Sequence, residues 1–107
     1  MPEQQNIEYK TSWHDDYFKW ICGFANASGG ALYIGSDDTG KVIGVADYKK
    51  LMEDLPNKIH DLLGVMAQVR LKKKNALHFI EIVVPPYSVP IGQYWLRRVQ
   101  HSYMAVL

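Results

Sequence analysis

Two short stretches of the sequence concentrate basic side chains. Residues 70–74 hold one arginine and three lysines, and Arg97 is followed directly by Arg98. Several cationic groups on one surface bind phosphate oxygens and give an affinity for polyanions that falls with added salt. Because successive strand residues point to opposite sides, only one of the two adjacent arginines can face a given partner. A charged turn that keeps a hairpin tip soluble explains the first stretch equally well.

Three carboxylates form the candidate metal site of this sequence: Glu3, Glu8 and Asp38. If the first strand pairs near the turn that holds Asp38, these side chains converge and offer the oxygen ligands that Mg²⁺ or Mn²⁺ prefers. A metal held there could activate water against a phosphodiester bond. Solvated surface carboxylates produce the same spacing, so only their positions in space distinguish the two interpretations.

The segment at positions 35–41 resembles two catalytic loops without completing either one. It matches most of a phosphate-binding P-loop, but that loop needs Ser or Thr next, and Val42 follows here. The Asp-Thr-Gly tripeptide that begins at Asp38 is central to aspartic proteases, whose paired carboxylates share a proton in an apolar cradle. Here charged residues flank it on both sides. A hairpin turn, which favours Asp and Gly for backbone reasons, explains the segment.

Composition and charge restrict the class of protein but not its ligand. The 107 residues fit a single domain, 1–107, with one hydrophobic core. Twelve Lys and Arg against eleven Asp and Glu give a net charge of +1, so any nucleic-acid binding must depend on local charge. Cys22 is the single cysteine, which excludes an intrachain disulfide and fits a cytoplasmic protein. The first residues lack the pattern of a secretory signal and no stretch is apolar enough to span a bilayer, so we expect no membrane partner.

Hydrophobic periodicity predicts an α+β fold in which a mixed β-sheet of about five or six strands is packed by two main helices. The predicted strands cover residues 7–10, 31–34, 41–45, 65–71, 77–84 and 94–98, of which 77–84 is apolar enough to be central. A capping box at Ser12 predicts a first helix that runs to about residue 28, where two glycines end it. The second helix is predicted over residues 47–63, with a kink or two successive pieces at Pro56 and an end at Gly64.

The first predicted helix carries two apolar stripes on neighbouring faces. They contain Phe18, Ile21, Cys22 and Ala25 on one side and Trp13, Tyr17, Trp20 and Phe24 on the other. So wide a surface must be covered on more than one side, by this domain, by a second copy or by a following domain. The apolar end at Leu107 predicts that the chain was cut from a longer protein. A non-catalytic dimerisation or interaction domain is therefore one hypothesis.

Several motifs along nearly the whole chain follow the order of a known family. They are Glu3-x4-Glu8-Tyr9-Lys10, the block Phe-Ala-Asn-Ala-Ser-Gly-Gly-Ala-Leu-Tyr-Ile-Gly at 24–35, Asp-Asp-x-Gly-x-Val-x-Gly at 37–44, and the segments 56–59, 83–90 and 94–97. In these residues the sequence resembles the Schlafen/Alba-like DNA-binding domain family. The block at 24–35, with the Gly-x-x-Asp that follows it, is the specific part of the likeness.

The resemblance implies a DNA-binding module that stands before an ATPase-like region and a winged helix in transcriptional regulators or helicase-like proteins. In the animal Schlafen proteins, related domains cleave transfer and ribosomal RNA with three acidic residues and a divalent metal. By motif position those acids correspond to Glu3, Glu8 and Asp38, and Lys10 matches the lysine beside them. The animal enzymes pair two such modules, however, and the family's usual Arg-x-Gly-Ser reads Arg-Arg-Val-Gln here at residues 97–100.

The first functional hypothesis is a nucleic-acid-binding module of a bacterial transcriptional regulator or helicase-like protein, with DNA favoured over RNA. Its expected phosphate contacts are Lys10, Arg70, Lys72, Lys73, Lys74 and Arg97. One alternative is a divalent-metal-dependent endoribonuclease with the three acids as ligands of Mg²⁺ or Mn²⁺, and the other is the dimerisation or interaction domain. We expect no other cofactor, and for the isolated domain we favour binding over catalysis.

Overall fold

The computed structural model describes residues 6–64 and 67–86, which form four strands and two α-helices. In chain order these elements are β1 (Ile7–Lys10), α1 (Phe18–Asn26), β2 (Gly30–Ile34), α2 (Tyr48–Leu63), β3 (Gln68–Lys74) and β4 (Leu77–Val84). A short 3-10 helix at Asp15–Tyr17 leads into α1. Neither α-helix of this part of the chain has the length and apolar character needed to cross a lipid bilayer. The predicted α+β class is confirmed.

The strands form one mixed sheet in the order β1-β2-β4-β3. β1 runs parallel to β2, whereas β4 is antiparallel to both of its neighbours, β2 and β3. This position confirms that residues 77–84 form a central strand. The sheet has four strands within the described ranges, where five or six were predicted. Residues 41–45 contribute only a bridge between Val42 and Ser36, and the strand predicted at 94–98 lies outside the described residues.

One face of the sheet and the inner sides of both helices form the hydrophobic core. Alternate residues of β2 and β4 point to this face and are at most 1% exposed: Leu32, Ile34, Ile80, Ile82 and Val84. The helices complete this core with, among others, Ile21 and Ala25 of α1 and Leu55 and Ile59 of α2. Burial of apolar surface contributes roughly 25 cal/mol per Å². Both helices therefore lie on one face of the sheet, and the opposite face carries a different set of side chains.

α1 begins later than the sequence pattern predicts. The residue that precedes the 3-10 helix is His14, and no side chain caps that end of the helix. The Ser12 hydroxyl lies 3.3 Å from His14 Nε2, so the predicted capping box is wrong. At the other end, Gly29 has a φ of 87° and its N–H donates to the Phe24 carbonyl at 2.9 Å. The helix itself ends at Asn26 with Ala27 as its C-cap, two residues earlier than predicted, and the left-handed glycine follows just beyond the cap.

The aromatic stripe of the first helical region is used mainly inside the domain. Trp13, Tyr17 and Trp20 are partly buried against the core. The ring of Trp13 meets that of Phe18 edge-on at a centroid distance of 5.2 Å, and the ring of Trp20 lies 6.3 Å from that of Phe24. The domain itself thus covers much of the aromatic surface that suggested a dimer.

α2 is one continuous helix, so the alternative of two successive helical pieces is wrong. Pro56 lies inside it with an exposed side chain. Leu51, Leu55 and Ile59 are spaced four residues apart and are buried on both sides of the proline. Burial of this stripe offsets the backbone hydrogen bond that proline removes, which otherwise costs about 3 kcal/mol. Gly64, with a φ of 70°, ends the helix as predicted.

The hairpin between β3 and β4 has a longer first strand and a shorter connection than predicted. β3 extends through Lys74, although residues 65–71 were predicted as the strand and residues 72–75 as the connection. The connection consists only of Asn75 and Ala76, whose φ values of 52° and 67° are those of a type I′ turn. The sequence did not indicate this turn, because its second position is usually Gly, as in Asn-Gly, and is Ala here. The lysines therefore lie on a strand, where successive side chains face opposite sides.

Candidate nucleic-acid interface

The sheet face opposite the helices carries an organised set of aromatic and charged side chains. The strand register defines this surface, which we name the open face: Ile7 and Tyr9 of β1, Ala31 and Tyr33 of β2, Gln68, Arg70, Lys72 and Lys74 of β3, and Leu77, Phe79, Glu81 and Val83 of β4. Both helices pack on the other side. The open face is therefore the candidate site within residues 6–64 and 67–86.

Three rings cross the open face from β1 to β4, and we name them the aromatic row. Tyr9 and Tyr33 are register partners, and their rings stack with centroids 5.6 Å apart and planes at 27°. The ring of Phe79 follows, with its centroid 6.4 Å from that of Tyr33 and the planes at 43°. β3 places Lys72 directly opposite Phe79. The aromatic row thus runs across the strands and ends at a basic side chain.

Glu81 organises the basic side of the open face. Its side chain is only 13% exposed, and one carboxylate oxygen accepts a hydrogen bond from the Tyr33 hydroxyl at 2.9 Å. The other oxygen lies 3.5 Å from Arg70 Nη1 and 3.7 Å from Lys72 Nζ. Arg70 also donates to the side-chain oxygen of Gln68. One carboxylate therefore positions one ring of the aromatic row and two cations of β3.

The same contacts change the acidity of Tyr33. Burial raises the pKa of its phenol to about 12, and the hydrogen bond to Glu81 and the charge of that carboxylate act in the same direction. The phenol therefore stays neutral at physiological pH and keeps donating to Glu81.

Glu81 offsets only part of the positive charge of β3. The side chains of Arg70 and Lys72 remain 52% and 45% exposed, and Lys74 lies beyond them.

The strand register gathers three of the six predicted phosphate contacts on the open face: Arg70, Lys72 and Lys74. Lys73 is the register partner of His78, whose ring stacks on that of Tyr48 in α2 at a centroid distance of 4.0 Å. Lys73 therefore points to the helix side of the sheet. Arg97 lies outside the described residues.

Lys10 is separated from the cations of β3 by the whole width of the sheet. β1 and β3 are the two outer strands of the sheet within the described residues, and neighbouring strands are about 4.8 Å apart. Lys10 Nζ lies 3.2 Å from Glu8 Oε2, 5.1 Å from the ring centroid of Tyr17 and 5.5 Å from that of Trp20. These ion-pair and cation–π contacts hold Lys10 on the helix side, against the aromatic residues of the first helical region.

The sequence and the fold of this chain are similar to those of known proteins. The sequence model of the Schlafen AlbA_2 family matches residues 3–104. The chain belongs to this family. Among solved structures, the DIP2311 protein of Corynebacterium diphtheriae has a TM-score of 0.67 at 22% identity. The N-terminal domain of a DNA helicase RecG-related protein of Nitrosomonas europaea has a TM-score of 0.63 at 23% identity.

These structural matches cover most of the Schlafen AlbA_2 domain but only part of the other proteins. They include 84% and 78% of this chain, and 19% and 64% of the Corynebacterium and Nitrosomonas chains, respectively. At these identities the likeness establishes a shared fold. No curated protein gives a significant sequence match. The family resemblance predicted from the motifs is thus confirmed.

Two of the three acids suggested as metal ligands lie within the described part of the Schlafen AlbA_2 domain. Glu8 is on the helix side of β1 and pairs with Lys10, and Asp38 is exposed in the turn that follows β2. Glu3 lies outside the described residues, so the three-carboxylate site remains a prediction. Within residues 6–64 and 67–86, no group of three Asp, Glu, His or Cys side chains is arranged to hold a metal ion.

Asp37, the neighbour of the predicted ligand, organises the turn after β2. Its Oδ1 accepts hydrogen bonds from the Thr39 hydroxyl at 2.7 Å, the Thr39 N–H at 2.9 Å and the Lys41 N–H at 3.0 Å. The bonds from the Thr39 hydroxyl and the Lys41 backbone hold the pKa of Asp37 below its ordinary value. The chain then returns to the antiparallel bridge at Val42, whereas a P-loop would open a helix. The hairpin-turn interpretation is confirmed.

The local sequence pattern did not predict the aromatic row or Glu81. Each of these residues alternates with other positions along its strand, so each faces away from the core once the core face is known. Their strands are far apart in the chain, and the rings become neighbours only through the strand order β1-β2-β4. Aligning the three strands face by face is the signal that could have found them in this Schlafen AlbA_2 domain.

Proposed function

We propose that this domain binds nucleic acid, with DNA as the preferred partner, through the open face. The observation that carries the proposal is the line of cations on one side of β3, beside the aromatic row: Arg70, Lys72 and Lys74. Alternate residues of a strand are about 6.7 Å apart, so these side chains form a linear positive array. A phosphate backbone is the complementary linear negative array.

The local charge of the open face supports this proposal, whereas the net charge of the whole chain is close to balanced. The whole chain has a net charge of +1, but the open face sets three cations against the single acid Glu81. Arg70 and Lys72 are held near Glu81 and are still about half exposed, so each can turn donors toward a phosphate. Binding to this array should therefore depend strongly on salt, because each phosphate contact releases condensed counterions.

We further propose that the domain acts as a nucleic-acid-binding module within a larger regulator or helicase-like protein. The family match supports this role, as does the structural likeness to the N-terminal domain of a DNA helicase RecG-related protein. In such an arrangement the module would hold a nucleic-acid strand for the chemistry of another domain. Binding by the isolated domain is the first property to measure.

An alternative explanation of the lysines is protection of a sheet edge. β3 is the outer strand of the described sheet, and lysines on an outer strand discourage pairing with other chains. This explanation predicts self-association after loss of a lysine, with no effect on nucleic acid. The two explanations are therefore separable by substitution.

The test compares Lys72→Ala with Lys73→Ala, which removes the same charge from the other face of the same strand. Fluorescence anisotropy with a labelled oligodeoxynucleotide should show wild-type binding that weakens steeply as salt is added. Lys72→Ala should weaken binding and reduce the slope of log affinity against log salt by about 0.7 to 0.9. Lys73→Ala should keep both the wild-type affinity and the wild-type slope.

Thermal melts of both variants establish that each is folded before binding is compared. Affinity that ignores salt would refute binding through the phosphate backbone. Equal losses in the two variants would refute the open face as the binding surface. Self-association of Lys72→Ala with unchanged DNA affinity would favour edge protection.

A further inference from the structure

The aromatic row is a feature that phosphate binding alone does not require. Tyr9, Tyr33 and Phe79 are half-buried rings on the surface of the sheet, placed beside the cations of β3 rather than in the core. Rings in this position offer flat apolar surface to a partner that also carries negative charge. Nucleotides combine both properties, because every base has a π-face and every linkage has a phosphate.

We propose that the open face binds single-stranded nucleic acid in preference to duplex, with bases on the aromatic row and the phosphate backbone toward β3. This inference rests on the proposed function and narrows its substrate class. In a duplex the base faces are occupied by stacking with their neighbours, so the rings gain nothing from it. In a single strand the bases can be splayed and stacked on side chains.

The order of side chains across the sheet determines how such a strand is arranged. The rings lie in sequence over β1, β2 and β4, with centroid spacings of 5.6 Å and 6.4 Å, and Lys72 lies opposite the last of them. A short segment of single-stranded nucleic acid that crosses the strands therefore reaches the rings with its bases and Lys72 with its phosphates. Base stacking gives the rings a role in binding, and the cations of β3 orient the phosphate backbone of the bound strand.

Charge at the opposite end of the aromatic row reinforces this orientation. Gly40, with a φ of 89°, brings the turn after β2 against Tyr9: a Cβ at that position would lie 3.0 Å from the tyrosine Cζ. The same turn carries Asp37 and Asp38. Lys41 also belongs to this turn, which therefore carries a net charge of −1, whereas β3 places three cations on the open face and so attracts phosphate more strongly. The backbone is therefore drawn toward β3.

The rings are also held in place before any ligand arrives. Tyr33 is fixed by its hydrogen bond to Glu81, and the ring of Tyr9 stacks on that of Tyr33 while the turn at Gly40 approaches its hydroxyl end. A surface whose rotamers are already ordered loses less entropy on binding. This arrangement favours stacking on the rings over a mobile, purely electrostatic encounter.

The test uses the full chain with a labelled oligodeoxynucleotide, either alone or annealed to its complement, and compares the two forms at the same salt concentration, first low and then high. Wild type should bind the single strand more tightly than the duplex. Phe79→Leu, which keeps an apolar side chain but removes the ring, should weaken single-strand binding roughly tenfold and weaken duplex binding much less, so that the preference for the single strand falls. Tyr9→Leu provides a second variant if Phe79→Leu does not fold. Tyr48→Leu, which removes a ring from the helix side, is the matched control and should bind like wild type.

Each outcome separates this inference from the proposed function. Equal affinity for single strand and duplex, or an unaffected Phe79→Leu beside a weakened Lys72→Ala, would overturn base stacking and leave nucleic-acid binding standing. Absence of salt-dependent binding to both oligonucleotides would overturn the proposed function as well. A dimer in sedimentation experiments without DNA, dissociated by Phe79→Leu, would assign the aromatic row to a second copy and also overturn the inference.

Discussion

Glu81 and Asp37 each join several donors to a single carboxylate. Glu81 accepts the Tyr33 hydroxyl and lies near two cations of β3, whereas Asp37 accepts three donors within its own turn. A carboxylate can do this because its two oxygens are acceptors only and have several lone-pair directions. The first side chain sets the geometry of the candidate interface. The second sets the path of the loop that borders it.

At this scale we expect Asp37→Ala to lower the thermal midpoint of unfolding at neutral pH, because the variant lacks the acceptor for Thr39 and Lys41. The lowered pKa of Asp37 defines where this contribution acts. A carboxyl whose pKa falls on folding stabilises the fold above its ordinary pKa of 3.8, and the contribution is lost as the pH falls through the lower folded value. Thermal melts over a pH series should therefore show wild type and variant converging in acid.

Asp38→Ala is the matched control for this prediction, since it removes an adjacent and exposed carboxylate. It should leave the thermal midpoint close to that of wild type across the series. A difference between wild type and Asp37→Ala that persists undiminished into strong acid would contradict the role given to the ionised carboxylate.

Among the elements, the β3–β4 hairpin decides which basic side chains lie on the open face, the candidate interface. Its two-residue turn sets a register in which Arg70 meets Glu81 and Lys72 meets Phe79. A shift of one residue would exchange the two faces of β3 and bring Lys73 to the aromatic row instead. The turn geometry therefore selects the candidate phosphate contacts.

We expect Ala76→Gly to stabilise the domain by about 1 kcal/mol. Ala76 has a φ of 67°, a conformation that crowds the Cβ of an L-residue but suits glycine. Urea denaturation, followed by circular dichroism, measures the difference in the free energy of unfolding. Asn75→Gly, at a φ of 52°, is the control and should gain less, because asparagine tolerates this region. An Ala76→Gly variant no more stable than wild type would show that the turn is not strained.

Across the whole domain, one face of the sheet forms the hydrophobic core and the other carries the candidate interface. β4 lies in the centre and alternates between them: Ile80 is fully buried under the helices, whereas the adjacent Phe79 belongs to the aromatic row. The helices cover one face with apolar side chains of both α1 and α2. Substitutions in the core should therefore affect stability without changing the side chains of the open face.

This division predicts opposite results for two neighbouring substitutions. Ile80→Ala should lower the free energy of unfolding by about 2 to 5 kcal/mol, because it removes buried methyl groups and leaves a cavity. Phe79→Leu should cost on the order of 1 kcal/mol or less. Chemical denaturation of both variants measures this contrast. Comparable losses would mean that Phe79 serves the core rather than a binding surface.

The sequence by itself determined the features that depend on local pattern. The strands 7–10 and 31–34, the buried strand 77–84 and the glycine end of α2 follow from periodicity and backbone preference over a few residues. The motifs along the chain also identified the family. Where local signals were ambiguous, they misled: the capping box at Ser12 did not form, and Ala76 concealed a two-residue turn.

Only the tertiary structure decided which side chains share a surface. In the sequence, Lys10, Lys72 and Lys73 are similar basic residues. In the structure, Lys10 lies against the aromatic residues of the first helical region, Lys72 lies beside Phe79, and Lys73 lies on the helix side of β3. Strand order and register are set by packing between distant segments, and a shift of one residue moves a side chain to the other face. The aromatic row exists for the same reason, because its three rings are neighbours in space through β1, β2 and β4 and not in the chain.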